Sequence, residues 1–186
     1  LTELTRDLPR VTAIIGAGGK TTLLFTLGEL LARQGKRVIL TTTTHLGASP
    51  EAVSPATAEE LNSLLRTNKP LLVGYRDEAS HKMTGVPVEW YPELRADHIL
   101  VEADGSRCHP LKMHRPFEPV LPPETGLLVQ VAGLSALGRT VRETVHCYDC
   151  DGLAPESVVD EALIARLLLR GFAHTGYAGP QLALLN

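Results

Sequence analysis

Residues 11–32 read VTAIIGAGGKTTLLFTLGELLA. Five apolar or β-branched residues, Val11–Ile15, run without polar alternation, as a strand covered on both faces requires. A glycine-rich turn follows, and then Leu23, Leu24, Leu27, Leu30 and Leu31 fall on one helical stripe that stops at Gly35. Strand, glycine turn and helix in that order form the frame of a phosphate-binding loop. Its general pattern is G-x-x-x-x-G-K-[ST], in which glycines let backbone amides approach phosphate oxygens. Counted back from Gly19, the leading glycine of that pattern falls on residue 14, which is Ile14.

The remaining parts of the loop are present. Gly16, Ala17, Gly18, Gly19, Lys20, Thr21 and Thr22 are the expected nucleotide-binding residues. Lys20 reaches the β- and γ-phosphates, Thr21 ligates Mg²⁺ through its hydroxyl, and the following helix aims its N-terminus at the anion. The alternative is a glycine turn with an exposed lysine. The shorter form G-x-x-G-K-T-T is similar to the loop of amide ligases of the Mur type.

Further strands are expected at Arg37–Thr42, Leu71–Gly74, His98–Glu102, Leu127–Ala132 and Leu182–Leu185. Helices are expected at Lys20–Gln34, Thr57–Thr67 and Pro155–Arg170, the last with acids early, Arg166 and Arg170 late and Gly171 as terminator. Alternating strands and helices predict a three-layer α/β fold, a mostly parallel sheet flanked by helices, as one P-loop NTPase-like domain over residues 1–186. Ligands in such sheets bind where the strands end at their carboxyl termini, so the loops after the strands are where function is sought.

At the second strand end stand Thr41, Thr42, Thr43 and Thr44, whose hydroxyls are placed for a γ-phosphate or Mg²⁺-bound water; β-propensity alone also accounts for them. The fourth expected strand closes on Glu102-Ala103-Asp104-Gly105. Glu102 and Asp104 compete for the role of the acid that orders Mg²⁺, and both can serve, since two carboxylates beside phosphates need a cation between them. The segment 106–116, SRCHPLKMHRP, crowds Arg107, His109, Lys112, His114 and Arg115 into a stiff basic loop. Such a loop binds a second anionic substrate or, through Arg107, stabilises charge in phosphoryl transfer; the alternative is a solvated surface loop. No side chain is expected to act as nucleophile in such a site, so the catalytic set is Lys20, Glu102, Asp104 and Arg107. Gly133–Gly138, after the fifth strand, reads as a mobile element.

The net charge of −3 gives no electrostatic footprint for nucleic acid or an anionic membrane. No apolar run nears the ~20 residues of a membrane helix. Three cysteines, an odd and low number, argue against a disulfide framework and for the cytoplasm. His146-Cys147-x-x-Cys150 supplies half a zinc site, with Cys108 and His109 upstream; a pair of reduced thiols is the plainer reading.

Taken together, GAGGKTTLLFTLGELLARQGKRVILTTTTH, LVEADGSRCHPLK, FEPVLP and VAGLSALGR resemble the YqeC family, whose members are called selenium-dependent molybdenum hydroxylase accessory proteins. The likeness covers almost the whole chain. It implies a P-loop fold near the GTPases and ATPases that mature metalloenzymes, with a client molybdenum hydroxylase or cofactor-assembly protein as partner. HCYDC at 146–150 departs from the family pattern, where His is followed by Arg. Relatives continue after Asn186 with a lysine and an aspartate, so LALLN is expected to open a base-recognition motif N-K-x-D, with Asn186 as a cofactor-binding residue and the natural chain longer. The alternative there is an ordinary C-terminal strand. The cofactors expected are Mg²⁺ with GTP or ATP. Three functions remain open: a nucleoside triphosphatase that acts as a maturation switch, a small-molecule kinase or ligase, and a nucleotide-regulated metal or cofactor carrier. The assembly is also open, a homodimer through the nucleotide face being common among switch-type relatives.

Overall fold

The computed structural model describes residues 2–77 and 79–186. In chain order its strands are β1 (Val11–Gly16), β2 (Val38–Thr42), β3 (Leu46–Gly47), β4 (Leu71–Leu72), β5 (Tyr75–Asp77), β6 (Lys82–Thr84), β7 (His98–Glu102), β8 (Leu111–Lys112), β9 (Leu127–Ala132), β10 (Val145–His146) and β11 (Gln181–Leu185). Its helices are α1 (Lys20–Arg33), α2 (Ala58–Leu64), α3 (Val141–Thr144) and α4 (Glu161–Thr175).

Six strands form one sheet in the order β11-β9-β1-β7-β2-β4, and every pairing in it is parallel. β1 is buried along its whole length, which is why its sequence is a continuous apolar run. Alternate residues still face opposite ways. Ile14 joins Leu23, Leu24, Leu27 and Leu31 of α1 on one face. Ala13 and Ile15 pack with Phe172 of α4 on the other, where Leu61 of α2 and the fully buried Tyr91 also lie against Ile39 and Ile99. The fold is therefore a three-layer α/β arrangement with a parallel central sheet, as the alternation of elements predicts. The edge strand β11 alternates between exposed and half-buried residues, as a strand with one neighbour should.

The chain leaves β1 for β2 on one side of the sheet, and leaves β7 for β9 on the other side of β1. Connections diverge at the carboxyl end of β1, and a crevice opens where they part. The glycine-rich loop stands at that point. Two smaller sheets roof the same end. β5 and β6 form an antiparallel pair that also takes up β3, and β8 pairs with β10 in parallel. Neither small sheet is foreseen from the sequence, because each strand has only two or three residues.

Three expected elements differ in extent. The strand expected at Leu71–Gly74 keeps ladder pairing at Leu71–Leu72, and Val73 pairs with Val53 as an isolated bridge. The helix expected at Thr57–Thr67 spans Ala58–Leu64, with the Thr57 hydroxyl accepting from the Glu60 amide, and it ends where Leu65 turns extended. The helix expected at Pro155–Arg170 runs instead from Glu161 to Thr175. Pro155 and Glu156 form a turn, and the residues after it run antiparallel to 139–141, where the Val141 amide donates to Ser157 O, the Val159 amide donates to Arg139 O, and Thr140 bridges Val158. Asp160 then opens the helix by accepting from the Leu163 amide at 2.7 Å.

Gly171 does not terminate α4. It lies inside the helix, and a Cβ there would sit 2.2 Å from the Gln130 amide nitrogen of β9. Its role is close helix–sheet approach. Gly171→Ala is therefore expected to lower stability by about 1–3 kcal/mol from overpacking, although helix propensity alone favours alanine by about 1 kcal/mol. Denaturant unfolding of the variant decides between the two: a neutral or stabilising effect would mean that Gln130 yields at no cost.

Candidate functional site

Three of the loop glycines adopt backbone conformations that side chains avoid: φ is 92° at Gly16, 77° at Gly18 and 130° at Gly19. A Cβ at Gly18 would meet the Gly133 amide at 2.5 Å and Pro110 O at 2.7 Å, so the loop is clamped from both sides. The Gly16 amide donates to Asp104 Oδ2 at 2.9 Å, and the Ala17 amide donates to Val131 O at 2.9 Å. Those two amides are engaged. The next five, from Gly18 to Thr22, have no acceptor among the described residues, and the first amide bonded in the helical manner is that of Leu23, to Gly19 O. Orphan donors at a helix N-terminus, in a turn of positive-φ glycines, form an anion-binding concavity.

Lys20 points into this loop with its side chain 3% exposed. Its Nζ donates to Gly16 O at 2.7 Å and to Ser106 Oγ at 3.2 Å. It also stands 3.2 Å from Asp104 Oδ1 and 3.9 Å from Glu102 Oε1. Helical spacing alone gives one flank of the loop this buried ammonium, since β1 feeds directly into α1. Pairing of Ile14 with Glu102 brings the end of β7 to the other flank.

The two acids there have different surroundings. Glu102 Oε2 accepts from the Thr21 hydroxyl at 2.8 Å and lines the cleft. Burial pushes its carboxyl pKa up, against the lowering influence of Lys20 and the Thr21 hydrogen bond, with Asp104 adding to the rise. Thr21 and Glu102 thus offer an adjacent hydroxyl and carboxylate, hard oxygen donors of the kind Mg²⁺ takes. Asp104 lies one layer deeper and is fully buried. Its Oδ2 takes His114 Nε2 at 2.9 Å as well as the Gly16 amide, and Lys112 Nζ lies 3.2 Å away. Burial raises the Asp104 carboxyl, but the His114 hydrogen bond and the Lys20 and Lys112 charges outweigh it and hold the pKa at about 2. Asp104 is positioned as an anionic post behind the loop, with its oxygens turned to cations and an amide.

The basic segment divides in two. Leu111 and Met113 enter an apolar cluster with α4, and the alternate residues Lys112 and His114 turn inward to Asp104. Lys112 Nζ also donates to Gly105 O at 2.6 Å and Glu118 Oε2 at 2.9 Å. The signal for this was in the sequence: Leu-Lys-Met-His is a two-residue alternation, the pattern of a strand with one apolar face. Arg107, His109 and Arg115 remain on the cleft side. Arg107 and Cys108 sit at φ 47° and 62°, so the chain reverses sharply there.

The threonines split similarly. Thr41 and Thr42 are buried, and the Thr42 hydroxyl donates to Glu102 O at 2.7 Å, tying β2 to β7 beneath the site. Thr44 reaches the cleft wall. On the opposite flank, Asn186 Nδ2 donates to Gly18 O at 2.8 Å, and its carbonyl accepts from the Leu134 amide at 2.7 Å. Gly133–Gly138 is held at both ends, through that bond and through the Gly138 amide on Val159 O. Cys147 Sγ accepts from Arg115 Nε at 3.2 Å, and all three cysteines are free thiols. Among the described residues no group of three or more His, Cys, Asp or Glu side chains is arranged to hold a metal ion, so the Cys147-x-x-Cys150 half-site finds no completing pair there. No helix among them is long and apolar enough to cross a membrane.

A cleft of about 530 Å³ joins these parts, running from Gly18–Thr22 past Glu102 to Gly105–His109 and His146. A smaller cavity of about 250 Å³ opens beside His114 and His174; it lies away from the loop amides, so the larger cleft is the candidate site.

A family model described as "YqeC protein" matches residues 12–149. The Escherichia coli (strain K12) protein described as "Uncharacterized protein YqeC" is 33% identical over 171 residues, which cover 81% of this chain and 64% of that protein. The chain thus spans less than two thirds of the length of that relative. No solved structure matches. Because the glycine loop, Glu102, Asp104 and the basic segment all lie inside the matched span, the family assignment covers the candidate site itself, and the chain belongs to the YqeC family.

Proposed function

We propose that this protein binds a nucleoside triphosphate with Mg²⁺ and hydrolyses it. The observation that carries the reading is the row of five unengaged amides, Gly18–Thr22, curled around the buried Lys20 ammonium. Those donors fit the oxygens of a polyphosphate. Lys20 exchanges its contacts with Ser106 and the two acids for phosphate oxygens, and Asp104 keeps the Gly16 end of the loop in place. Thr21 and Glu102 hold Mg²⁺, which supplies charge neutralisation to the phosphates. Arg107 lies across the cleft as a further cation. Positioning and electrostatics carry most of phosphoryl transfer, consistent with a site that offers cations and amides and no activated nucleophile.

Asn186 is fastened to the loop at Gly18 O, and the resemblance noted from the sequence gives it a base-recognition role, which favours GTP over ATP. The resemblance noted from the sequence extends the reading to a maturation factor acting in the cytoplasm on a selenium-dependent molybdenum hydroxylase or its cofactor. Phosphate release from GTP and ATP tests the core of the proposal. Turnover that requires Mg²⁺ and is stopped by chelation is expected. A rate unaffected by chelation would contradict the assignment of Thr21 and Glu102.

A further inference from the structure

The cleft is larger on one side than the glycine loop needs. Its lining runs from the loop toward the ends of β7 and β2, takes in His146 of β10, and includes neither Gly133 nor Asn186. Asn186 and Gly133 flank the loop on that other side, at Gly19 and Gly18. On the reading above, a triphosphate on the Gly18–Thr22 amides sends its base toward Asn186. The β7/β2 side of the cleft then lies beyond the terminal phosphate, open to a second ligand.

That side is cationic. Arg107, His109 and His146 stand there, and Lys82 of β6 lines the same cleft. Neither Arg107 nor Lys82 makes a salt bridge among the described residues. Two acids line the cleft: Glu118 is bound by Lys112, and Glu102 accepts from the Thr21 hydroxyl with Lys20 3.9 Å away. The His109 and His146 rings stand 5.5 Å apart, so two imidazoles share the wall with the uncompensated cations. Burial first, and then Lys112, His109 and Arg107, push the His146 pKa down to about 4. An anion in this space would relieve that repulsion.

We infer that the wall formed by Arg107, His109, His146 and Lys82 binds a second small molecule through a carboxylate or phosphate group, at the same time as the triphosphate. This rests on the nucleotide reading and deepens it, because it places an anionic co-ligand next to the terminal phosphate. The cleft, unlike the site of a plain hydrolase, then has two ligand positions.

The test uses inorganic phosphate and malonate as separate probes, titrated calorimetrically into the full chain saturated with a Mg²⁺-bound non-hydrolysable triphosphate, with saturation verified for each variant. The expected result is saturable binding of at least one probe to the wild-type complex, weakened tenfold or more in Arg107→Ala and in His146→Ala. A stronger response to phosphate identifies a phosphorylated co-ligand, and a stronger response to malonate a carboxylate. No binding of either probe up to 20-fold the analogue concentration, or binding indifferent to both substitutions, would overturn the inference. If the triphosphate analogue itself does not bind the wild type, the nucleotide reading fails separately. The same titration on nucleotide-free Lys20→Ala protein then decides: loss of probe binding on adding Arg107→Ala supports the anionic wall, and indifference overturns it.

Discussion

Lys20→Ala is expected to lower nucleotide turnover by about 10²–10³-fold, the range seen when one preorganised charge-stabilising donor is removed from a reacting centre. Lys20 is the ammonium that the loop buries, with Nζ 2.7 Å from Gly16 O and 3.2 Å from Asp104 Oδ1. The fold should survive the change: Asp104 keeps His114 and Lys112 as partners, and the apolar contacts of α1 come from Leu23, Leu24, Leu27 and Leu31. Steady-state phosphate release, with circular dichroism as a control for folding, reads the effect. A folded variant with wild-type turnover would remove the loop from the chemistry.

The second large effect is on stability. Asp104 is fully buried and answers two ammonium groups, Lys20 and Lys112, and the His114 imidazole. Asp104→Asn preserves shape but leaves those groups without a counter-charge, and breaking a buried charged network from one side costs about 3–5 kcal/mol. The loss should appear in denaturant unfolding. Acid offers a second view of the same residue. Its folded pKa of about 2 lies below the usual carboxylate value of about 3.9. The carboxylate therefore contributes stability that is full above pH 4 and is lost as pH falls from about 4 toward 2. The wild type should lose stability through that window more steeply than Asp104→Asn. Parallel acid profiles would mean that Asp104 is not the anchor.

The parts of this molecule that are local were legible in its sequence. Val11–Ile15, the glycine turn and the leucine stripe of α1 each have a period that one element explains, and the burial of β1 follows. The parallel sheet follows from the same alternation. What escaped depends on partners distant in sequence. Lys112 and His114 read as cleft residues within a basic run, yet Asp104 draws them inward from 8 and 10 residues away, leaving Arg107 and His109 in front. Gly171 read as a helix terminator, because nothing in its neighbourhood announces Gln130 of β9. The start of α4 lies later than its local sequence suggests for a similar reason: residues 155–159 find hydrogen bonds on residues 138–142 and leave Asp160 to cap a helix that begins at Glu161. For Glu102 and Asp104 the sequence left the metal role open. Burial separates them, turning Glu102 to Thr21 and the cleft and Asp104 to the back of the loop.

The division of labour in the site follows from that separation. Asp104 orients the loop through the Gly16 amide and fixes the cations behind it. Glu102, with Thr21, faces the cleft, where the proposed Mg²⁺ would bind. Asn186 pins the loop from the opposite flank. A single strand end could supply none of this alone; the loop after β1 is shaped by what β7, β9 and β11 present to it.

The central claim is that the Gly18–Thr22 amides and Lys20 form a polyphosphate site completed by Mg²⁺. Equilibrium titration of the wild type and of Lys20→Ala with non-hydrolysable ATP and GTP analogues, each with and without Mg²⁺, tests it most directly. The account predicts saturable binding of at least one analogue to the wild type, strengthened by Mg²⁺ and lost in Lys20→Ala. Failure of both analogues to bind the wild type, or binding untouched by Mg²⁺ and by the loss of Lys20, would contradict it.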